Sequence, residues 1–360
     1  MRILDINVPG EPKERSDNMC TSPNYMYQVG THIDNNMIVR PTLKFLGHHE
    51  FKKLKEHIFD NGVRFVEVPC GKCLECRIQY ARAWADRCVL EAKQSKFNYF
   101  VTLTYDDEHL PYKNSLNPEH LKRFMNLLRK HFKRKLGFDG KIRFFASGEY
   151  GNAGSRIMNP HYHLLLFNCP INDLSITFYQ EVDGKLVRYD RPASKDNNIY
   201  FSKTIYDLWI DEEGHHLGQI SVGYFSYDTA AYVSQYVTKK CNPNNDKIYE
   251  DLGIYPEFLR MSNRPGIGAK YFEEHPMLHD NGKLVIAGDG EAHLAAVPRY
   301  FDKLFVKKYG EVAFNVLSGR NLEKKLVDIQ TYKHSKHDKD FEADIRDNIA
   351  KKIHRQKTII

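Results

Sequence analysis

The tripeptide His161-Tyr162-His163 is the first segment whose residue types and spacing indicate chemistry. In a β-strand, residues two apart project from the same face, so the two imidazoles would lie side by side. Two imidazoles leave a divalent metal ion short of ligands. Glu149 ends the preceding predicted strand, and hairpin pairing would bring its carboxylate to the histidines. Two nitrogens and one carboxylate oxygen suit Mg²⁺ or Mn²⁺ acting as a Lewis acid, although such histidines can also form a simple hydrogen-bonded surface pair.

A second segment, YVSQYVTKK, carries two tyrosines and two lysines at helical spacing, namely Tyr232, Tyr236, Lys239 and Lys240. The surrounding pattern predicts a helix over Asp228–Lys240. Residues four apart share a helix face, so the two phenols would lie one above the other, with the lysines one turn beyond Tyr236. A phenol has a pKa of about 10 and becomes a useful nucleophile only when a cation favours the phenolate. The alternative is an amphipathic core helix that carries two tyrosines.

A third cluster is formed by Cys70, Cys73 and Cys76 in the segment VPCGKCLECR. Three thiolates need a fourth ligand to close a tetrahedral Zn²⁺ site. Cys20 is the best donor, because Cys88 lies about three turns along the helix that Cys76 begins. The alternative is a set of reduced cysteines packed as small apolar groups. Seven cysteines in all, an odd number, favour an intracellular protein with thiol ligands over a secreted disulfide scaffold.

The elements that would position these residues are predicted from apolar periodicity and turn signals. Helical spacing begins at Leu74, and Asn117 followed by Pro118 predicts the start of a second helix, which Gly137 ends. Strands are predicted at Asn98–Tyr105, Lys141–Tyr150, His161–Phe167 and Gln219–Phe225. Residues 170–216 are predicted to be an inserted excursion. The order predicts an α+β fold: an antiparallel sheet with flanking helices, a cysteine-containing N-terminal segment and a mostly helical C-terminal region.

The chain of 360 residues is long enough for about two domains. Residues 1–18 are predicted to be a flexible arm, and residues 19–95 an N-terminal segment with the cysteine cluster and a helix. Residues 96–245 would form the domain that holds the histidines and tyrosines. Residues 246–360 would form an accessory region, ending in a charged helical stretch over Asn321–Lys357, because NPNN marks a boundary at 242–245.

The net charge of +7 permits a polyanionic partner without requiring one. The helical segment Leu121–Leu136 has seven Lys or Arg residues and no acid. That composition fits either a solvated outer face or a surface that follows phosphates, and no DNA-binding residues are otherwise assigned. No apolar stretch reaches the roughly 18 residues of a membrane span, and the N-terminus has no apolar signal core. We therefore expect neither a membrane partner nor export.

A histidine pair followed by a helix with tyrosines and lysines, after an antiparallel sheet, resembles the HUH endonucleases, which cut single-stranded DNA by tyrosine transesterification. Three further blocks narrow this resemblance: VPCGKCLECR with RAWADRC, then FVTLTYDDEHLP, then AAYVSQYVTKK. They are similar to blocks of the replication initiators of gokushovirus-type microviruses, which are small single-stranded DNA bacteriophages. MSNRPGIG and PRYFDKL resemble the C-terminal region of that family, and the matching blocks run over residues 68–304.

The resemblance implies roles for particular residues. His161 and His163 correspond to the metal ligands of the family, and Glu149 is the best candidate for the third ligand. Lys239 and Lys240 correspond to the basic residues of the tyrosine motif. FVTLTYDD corresponds to the first initiator motif, a core strand and not a catalytic group.

Tyr232 and Tyr236 correspond to the paired nucleophiles of the family, which alternate in joining DNA 5′-phosphate ends. Related initiators often carry a basic residue three positions after the first tyrosine, where this chain has Gln235. Tyr236, with Lys239 at the matching offset, is therefore the expected first nucleophile.

The implied function is that of a metal-dependent endonuclease that nicks and rejoins single-stranded DNA at a phage origin through a 5′-phosphotyrosine, starting rolling-circle replication. The implied partners are single-stranded or unwound origin DNA and the host replication helicase and polymerase, in the host bacterial cytoplasm. A transposase or plasmid initiator of the HUH class is a rival, against which the cysteine and RPGIG blocks argue. From a different class, the alternative is a non-catalytic, zinc-containing protein that binds single-stranded nucleic acid.

Overall fold

The fold is described from a computed structural model of the chain. The described residues are 20, 22–33, 39–47, 50, 65–151, 159–182, 185–190, 199–236, 243–275, 283–286, 292–314 and 316. The chain divides into two compact units. The smaller unit comprises Met1–Gln79, His279–Gly282 and Phe305–Ile360, and the larger comprises Tyr80–Leu278 and Lys283–Leu304.

The helices and strands of the described residues are numbered in chain order. The helices are α1 (Leu74–Ala92), α2 (Pro118–Lys135), α3 (Lys203–Leu208), α4 (Tyr227–Gln235), α5 (Pro243–Leu252), α6 (Ala269–Glu274) and α7 (Arg299–Tyr309). The strands are β1 (Asn24–Ile33), β2 (Val39–Leu46), β3 (Phe65–Val68), β4 (Asn98–Thr104), β5 (Arg143–Tyr150), β6 (Pro160–Phe167), β7 (Leu174–Ser175), β8 (Thr177–Val182), β9 (Lys185–Asp190), β10 (Phe201–Ser202), β11 (Ile220–Tyr224), β12 (Phe258–Met261), β13 (Lys283–Ile286) and β14 (His293–Ala296). Among the described residues, no helix has the length and apolar character needed to cross a membrane.

The larger unit is built on a five-stranded sheet in the order β11-β4-β6-β5-β12. Every neighbouring pair of strands in this sheet is antiparallel. The predicted α+β fold with an antiparallel sheet and flanking helices is therefore confirmed. The edge strand β12 is absent from the sequence prediction and comes from beyond residue 245, so the sheet continues into the range predicted to be an accessory region.

The prediction of a mostly helical C-terminal region does not match the described part of that region. There, β12, β13 and β14 occur beside α6 and α7, and β13 pairs with β14 as an antiparallel hairpin. The strands are only four residues long each, which is too short for clear period-two alternation. The predicted arm at 1–18 and the predicted helical stretch Asn321–Lys357 lie outside the described residues.

Side-chain alternation along β6 separates two apolar cores on the two faces of the large sheet. Tyr162, Leu164 and Leu166 are buried on one face, in a core that includes the apolar stripe of α2. Leu165 and Phe167 are buried on the other face, in a core with residues of α1 and α4. His163, two residues from Leu165, therefore belongs to the α4 face of the sheet.

Helix α2 begins as the sequence predicts, and its apolar stripe is buried. The Asn117 side chain accepts a hydrogen bond from the Glu119 amide at 3.0 Å, and Pro118 occupies the first turn. The exposed basic side chains of this helix are Lys122, Lys130, Lys133, Arg134 and Lys135. Because α2 packs on the sheet face opposite His163, these charges do not line the histidine face.

Part of the predicted excursion at 170–216 belongs to the core. Phe201, Ile205 and Trp209 are buried in the same core as α2. The Trp209 indole N–H donates to the Thr104 carbonyl at 2.9 Å, so this large side chain has both apolar contacts and a hydrogen-bond partner. The excursion prediction is therefore wrong for this stretch, whose apolar residues are too widely spaced in sequence to form a periodic pattern.

The RPGIG block is held against α1 by buried charges. Arg143 and Glu91 form a buried ion pair between β5 and α1. Glu91 also accepts a hydrogen bond from the Gly268 amide at 2.6 Å, and Arg143 donates to the Pro265 carbonyl at 2.9 Å. Charge-assisted bonds of this kind satisfy backbone groups that the loop itself leaves unpaired. The block is thus a structural element of the larger unit.

In the smaller unit, the described strands form an antiparallel sheet in the order β2-β1-β3. The pairing of β1 with β3 sets Asn24 opposite Val68. Consequently the residues just before β1 and just after β3 lie at the same end of this sheet.

Gly218, just before β11, lies where two backbones approach closely at the edge of the large sheet. Its φ is +146°, and a Cβ at this position would lie 2.4 Å from the Asp106 nitrogen and 2.5 Å from the Thr104 oxygen. We expect Gly218→Ala to destabilise the protein by roughly 3 kcal/mol or more, measured as a fall in the apparent melting temperature.

Gly214→Ala is the matched control, because Gly214 also has a positive φ of +95° but no atom within 4 Å of the added Cβ. We expect this variant to lose only about 1 kcal/mol. Equal losses of melting temperature in the two variants would contradict the close-approach explanation.

Candidate active site

The sheet face that packs against α4 is apolar at one end and polar at the other. Its apolar end carries the buried side chains Phe145, Leu165 and Phe167. Its polar end carries, in the same alternation, Thr102, Ser147, Glu149, His161 and His163. The change from apolar to polar along neighbouring strands brings the candidate ligands together at one end of the face.

Glu149 meets both histidines at this polar end. The antiparallel pairing of β5 with β6 sets Glu149 directly opposite His161. Glu149 Oε1 lies 2.7 Å from His163 Nε2 and 3.2 Å from His161 Nε2. One ligand atom from each of the three residues lies within 4.8 Å of the others. Hairpin pairing therefore produces the proximity that the sequence predicts.

The donor set fits a divalent cation by its chemistry. His161 Nδ1 lies 3.1 Å from the Asn159 carbonyl oxygen, which can only accept, so the lone pair of the neutral imidazole is on Nε2. That nitrogen and the Glu149 carboxylate are both electron-pair donors, and at 3.2 Å they need a proton or a cation between them. Two imidazole nitrogens and one carboxylate oxygen are ligands that Mg²⁺ and Mn²⁺ accept, with positions left open for other oxygens.

The Glu149 carboxyl group is ionised in this environment, as a metal ligand must be. Its side chain is almost fully buried, and burial alone would raise its pKa. Hydrogen bonds from His161 and His163, together with the charge of the two imidazoles, instead lower the pKa of Glu149 to about 2. The carboxylate therefore carries its negative charge throughout the physiological pH range.

Strand β4 holds the His163 ring in place. Thr102 Oγ1 lies 3.0 Å from His163 Nδ1, and the Phe100 ring stacks on the imidazole with centroids 5.4 Å apart. A hydrogen bond at Nδ1 leaves Nε2 for the ligand set and fixes the orientation of the ring. The sequence identified this segment as a core strand only. The missing information was that β4 and β6 are neighbours, with Thr102 paired to His163.

Ser147 adds an unsatisfied polar group to the same face. It is fully buried, it pairs with His163 across the strands, and its hydroxyl has no hydrogen-bond partner among the described residues. A buried unpaired hydroxyl costs about 1–3 kcal/mol, and such groups call for a functional explanation when they occur beside a site. Sequence patterning does not single out Ser147, because a serine within a strand is common.

The tyrosine helix α4 starts at a strong cap and is shorter than predicted. Ser226 accepts a hydrogen bond from the Thr229 amide, and the Thr229 side chain accepts one from the Ser226 amide, which forms a capping box. The helix ends at Gln235, and Tyr236 is its C-terminal cap, whereas the sequence predicts a helix to Lys240. Lys239 and Lys240 lie outside the described residues, so the roles expected of them stay predictions.

Both tyrosines reach the ligand set. The Tyr232 hydroxyl lies 3.2 Å from His163 Nε2, and the Tyr236 hydroxyl donates to the Tyr232 hydroxyl at 3.1 Å. The two rings meet edge to face with centroids 5.5 Å apart, as their spacing of four residues predicts. Burial and the charge of Glu149 raise the pKa of Tyr232 to about 12, and the same two causes raise the pKa of Tyr236. The phenols are therefore neutral until a cation offsets the carboxylate.

Comparison with known proteins identifies the family. A family model for replication-associated proteins of the ORF2 type matches residues 98–241, the range from β4 to just beyond α4. The chain is 38% identical over 249 residues to the replication-associated protein ORF2 of Spiroplasma virus 4, covering 67% of this chain and 68% of that protein. It is 29% identical over 246 residues to the replication-associated protein VP4 of Bdellovibrio phage phiMH2K, covering 68% and 69%.

A third relative is the replication-associated protein ORF4 of Chlamydia phage 1, which is 25% identical over 266 residues, or 74% of this chain and 60% of that protein. No solved structure matches the chain significantly. The matches define the class as replication-associated proteins of phages. Within that class, the chain belongs to the family of microvirus replication initiators, as its sequence blocks predict.

The contact between Thr102 and His163 leads to a prediction about metal affinity. Thr102→Val keeps the shape of the side chain and removes the hydroxyl that bonds His163 Nδ1. Loss of such a partner behind a ligating histidine typically weakens metal binding about 10- to 100-fold. We expect a loss in this range for Mn²⁺, measured by isothermal titration calorimetry on the full chain.

Thr104→Val is the control, because the Thr104 hydroxyl lies on the same strand but donates to the Gln219 carbonyl at 3.0 Å. This variant should bind Mn²⁺ as the wild-type protein does. Unchanged affinity in Thr102→Val would show that the hydroxyl does not position the histidine.

Proposed function

We propose that this protein is a DNA-nicking and DNA-joining endonuclease of the HUH type, acting at a phage origin through a 5′-phosphotyrosine intermediate to start rolling-circle replication. The observation that carries the proposal is the meeting of two phenols with a two-histidine, one-carboxylate ligand set. The Tyr232 hydroxyl lies 3.2 Å from His163 Nε2, and the Tyr236 hydroxyl lies 3.1 Å from that of Tyr232. Membership in the microvirus initiator family supports the proposal from an independent direction.

His161, His163 and Glu149 would hold the nicking metal. A bound Mg²⁺ or Mn²⁺ supplies Lewis-acid stabilisation of charge on a phosphate. The chain itself fixes the ligands in advance, through the pairing of β5 with β6 and through the hydrogen bonds at the Nδ1 atoms of both imidazoles. Preorganised ligands need little rearrangement when the reaction occurs.

The first chemical step is a transesterification at phosphorus. The phenolic oxygen of one tyrosine forms a bond to the phosphorus, and the bond from phosphorus to the 3′ oxygen of the preceding nucleotide breaks. The phenol loses its proton and the departing 3′ oxygen gains one. The products are a 5′-phosphotyrosine and a free 3′-hydroxyl group.

A second tyrosine allows the reaction to be repeated and closed. The other phenol can cut the regenerated origin by the same step, which releases a second 3′-hydroxyl group. That hydroxyl attacks the first phosphotyrosine, so the phosphodiester bond re-forms and the first phenol regains its proton. Because the phosphotyrosine bond conserves the energy of the phosphodiester, the circle closes without ATP.

The phenols need a nearby cation for this reaction. Burial and the charge of Glu149 raise the pKa of Tyr232 to about 12, which disfavours phenolate. Lys239 follows Tyr236 by three residues and Lys240 by four, so each is placed in sequence to supply positive charge to that phenol. On this argument Tyr236 makes the first attack and Tyr232 makes the second.

The substrate in this proposal is single-stranded or unwound origin DNA, and the site of action is the host bacterial cytoplasm. The 3′-hydroxyl group released by nicking is a primer that the host polymerase would extend, with the host replication helicase opening the duplex. Electrostatic contacts to phosphates would make DNA binding weaken as the salt concentration rises.

The central experiment uses the full chain, Mn²⁺ and a single-stranded oligonucleotide that spans the phage origin, analysed by denaturing electrophoresis. A 3′ label should shift to a covalent protein adduct, whereas a 5′ label should migrate with a free, shortened fragment, because the tyrosine bonds to the 5′-phosphate. A non-catalytic nucleic-acid-binding protein would bind the oligonucleotide and form neither product. Binding without an adduct would overturn the proposal.

The two tyrosines should separate in this assay. We expect Tyr236→Phe to abolish most of the first nick, because the phenol beside the lysines is lost. Tyr232→Phe should form the first adduct but fail to release a closed circle, and the double variant should form no adduct. Tyr227→Phe is the control on the same helix, since Tyr227 packs against His293 outside the ligand set. An initial adduct that persists in Tyr236→Phe and disappears in Tyr232→Phe would reverse the roles.

Removal of a ligand histidine should stop nicking with little effect on the fold. We expect His161→Ala to lower the nicking rate at least about a hundredfold, since metal stabilisation of a phosphate is worth several kcal/mol. Circular dichroism should stay close to that of the wild type, because the His161 side chain is partly exposed. His131→Ala, on α2 at the opposite face of the sheet, should nick normally. Near-normal nicking by His161→Ala in Mn²⁺ would remove it from the ligand set.

A further inference from the structure

Four cysteines separated in sequence meet at one end of the sheet of the smaller unit. Cys20 lies four residues before β1, and Cys70 lies two residues after β3. Because β1 and β3 are antiparallel with Asn24 opposite Val68, the two chain segments reach the same end of the sheet. Cys73 and Cys76 follow at the start of α1, so the strand pairing and the helix start together produce the cluster.

The distances between the sulfurs are those of ligands around one ion. The Cys73 and Cys20 sulfurs are 3.8 Å apart, and the Cys70 and Cys76 sulfurs are 4.0 Å apart. A tetrahedral Zn²⁺ with bonds of about 2.3 Å to sulfur requires sulfur–sulfur separations of about 3.8 Å. A cluster of several irons would hold the sulfurs farther apart than a single ion does.

Backbone amides point at the sulfurs, as they do around thiolate ligands. The Lys72 and Cys73 amides donate to Cys70 Sγ at 3.4 and 3.2 Å, and the Cys76 amide donates to Cys73 Sγ at 3.4 Å. The Cys70 amide donates to Cys20 Sγ at 3.3 Å. These donors stabilise negative charge on sulfur, and a sulfur with several amide donors acts as an acceptor and not as a neutral thiol donor.

The packing differs from that of cysteines buried as small apolar groups. Cys88 and Cys169 are of that kind: both are fully buried within the cores of the larger unit. Cys70 and Cys73 are only half-buried, beside the exposed Lys72, and contribute to neither core. Burial of apolar surface therefore does not explain why the four sulfurs converge.

We propose that Cys20, Cys70, Cys73 and Cys76 bind a structural Zn²⁺ ion, a site separate from the nicking metal and independent of the proposed nicking function. Soft thiolate ligands favour Zn²⁺ over Mg²⁺ or Mn²⁺. Four protein ligands close the coordination sphere, which is typical of a structural ion and leaves no position for substrate. The ion joins the segment before β1 to the start of α1, about 50 residues later in the chain, and so holds both ends of the small sheet's β1–β3 pair together.

The first test is elemental analysis of the full chain, purified without added metal. We expect about one zinc and no iron per chain in the wild type. Cys73→Ala should lose the zinc, whereas Cys88→Ala, a control on the same helix, should retain it. His161→Ala should also retain it, which distinguishes this site from zinc captured by the nicking ligands. Zinc retained by Cys73→Ala, or lost from His161→Ala, would overturn the proposal.

A second measurement guards against a Cys73→Ala chain that simply fails to fold. The wild-type chain with Co²⁺ in place of Zn²⁺ should show the visible absorption bands of a tetrahedral thiolate site, and Cys73→His should keep a tetrahedral spectrum with shifted bands. A chelator should lower the melting temperature of the wild type. A metal-free wild-type chain, with either seven free thiols or disulfides among these four cysteines and no response to chelator, would refute the zinc site.

Discussion

The pairing of β5 with β6 is the constraint on which the candidate site depends. It sets Glu149 opposite His161, and side-chain alternation then fixes the sheet face that both residues share. A slip of one residue would turn the histidines to the α2 face, into an apolar core. Burial on both faces opposes such a slip, because Leu164 and Leu165 each occupy a packed core on opposite sides of the same strand.

The residue between the two histidines ties the site to the other side of the sheet. The Tyr162 hydroxyl donates to the Asn117 carbonyl at 2.9 Å and accepts from the Asn117 amide at the same distance, and it also bonds the Tyr105 hydroxyl at 2.8 Å. Asn117 is the N-terminal cap of α2. One strand therefore presents metal-ligand candidates on one face and fixes the start of a helix on the other, so the position of the histidines is coupled to the packing of α2.

The sequence predicts the parts of the site that depend on local order along the chain. Glu149 and His161 were predictable because β5 and β6 are consecutive strands, for which hairpin pairing is the default. Thr102 was not, because β4 is a neighbour of β6 only in the sheet and not in the sequence. Trp209 is buried by residues far away in the chain, so its surroundings predict a loop. Periodicity also continues past the end of α4, and therefore it cannot locate the cap at Tyr236.

The end of α4 gives its two tyrosines different mechanical freedom. Tyr232 lies within the helix, and its ring is wedged between the His163 imidazole and the edge of Phe100, so moving it means unpacking the helix from the sheet. Tyr236 closes the last turn, where rotation of a few backbone dihedrals breaks little of the helical hydrogen bonding. A cargo attached to Tyr236 could therefore swing about the helix end as on a hinge, while Tyr232 stays seated as a fixed post beside the ligands.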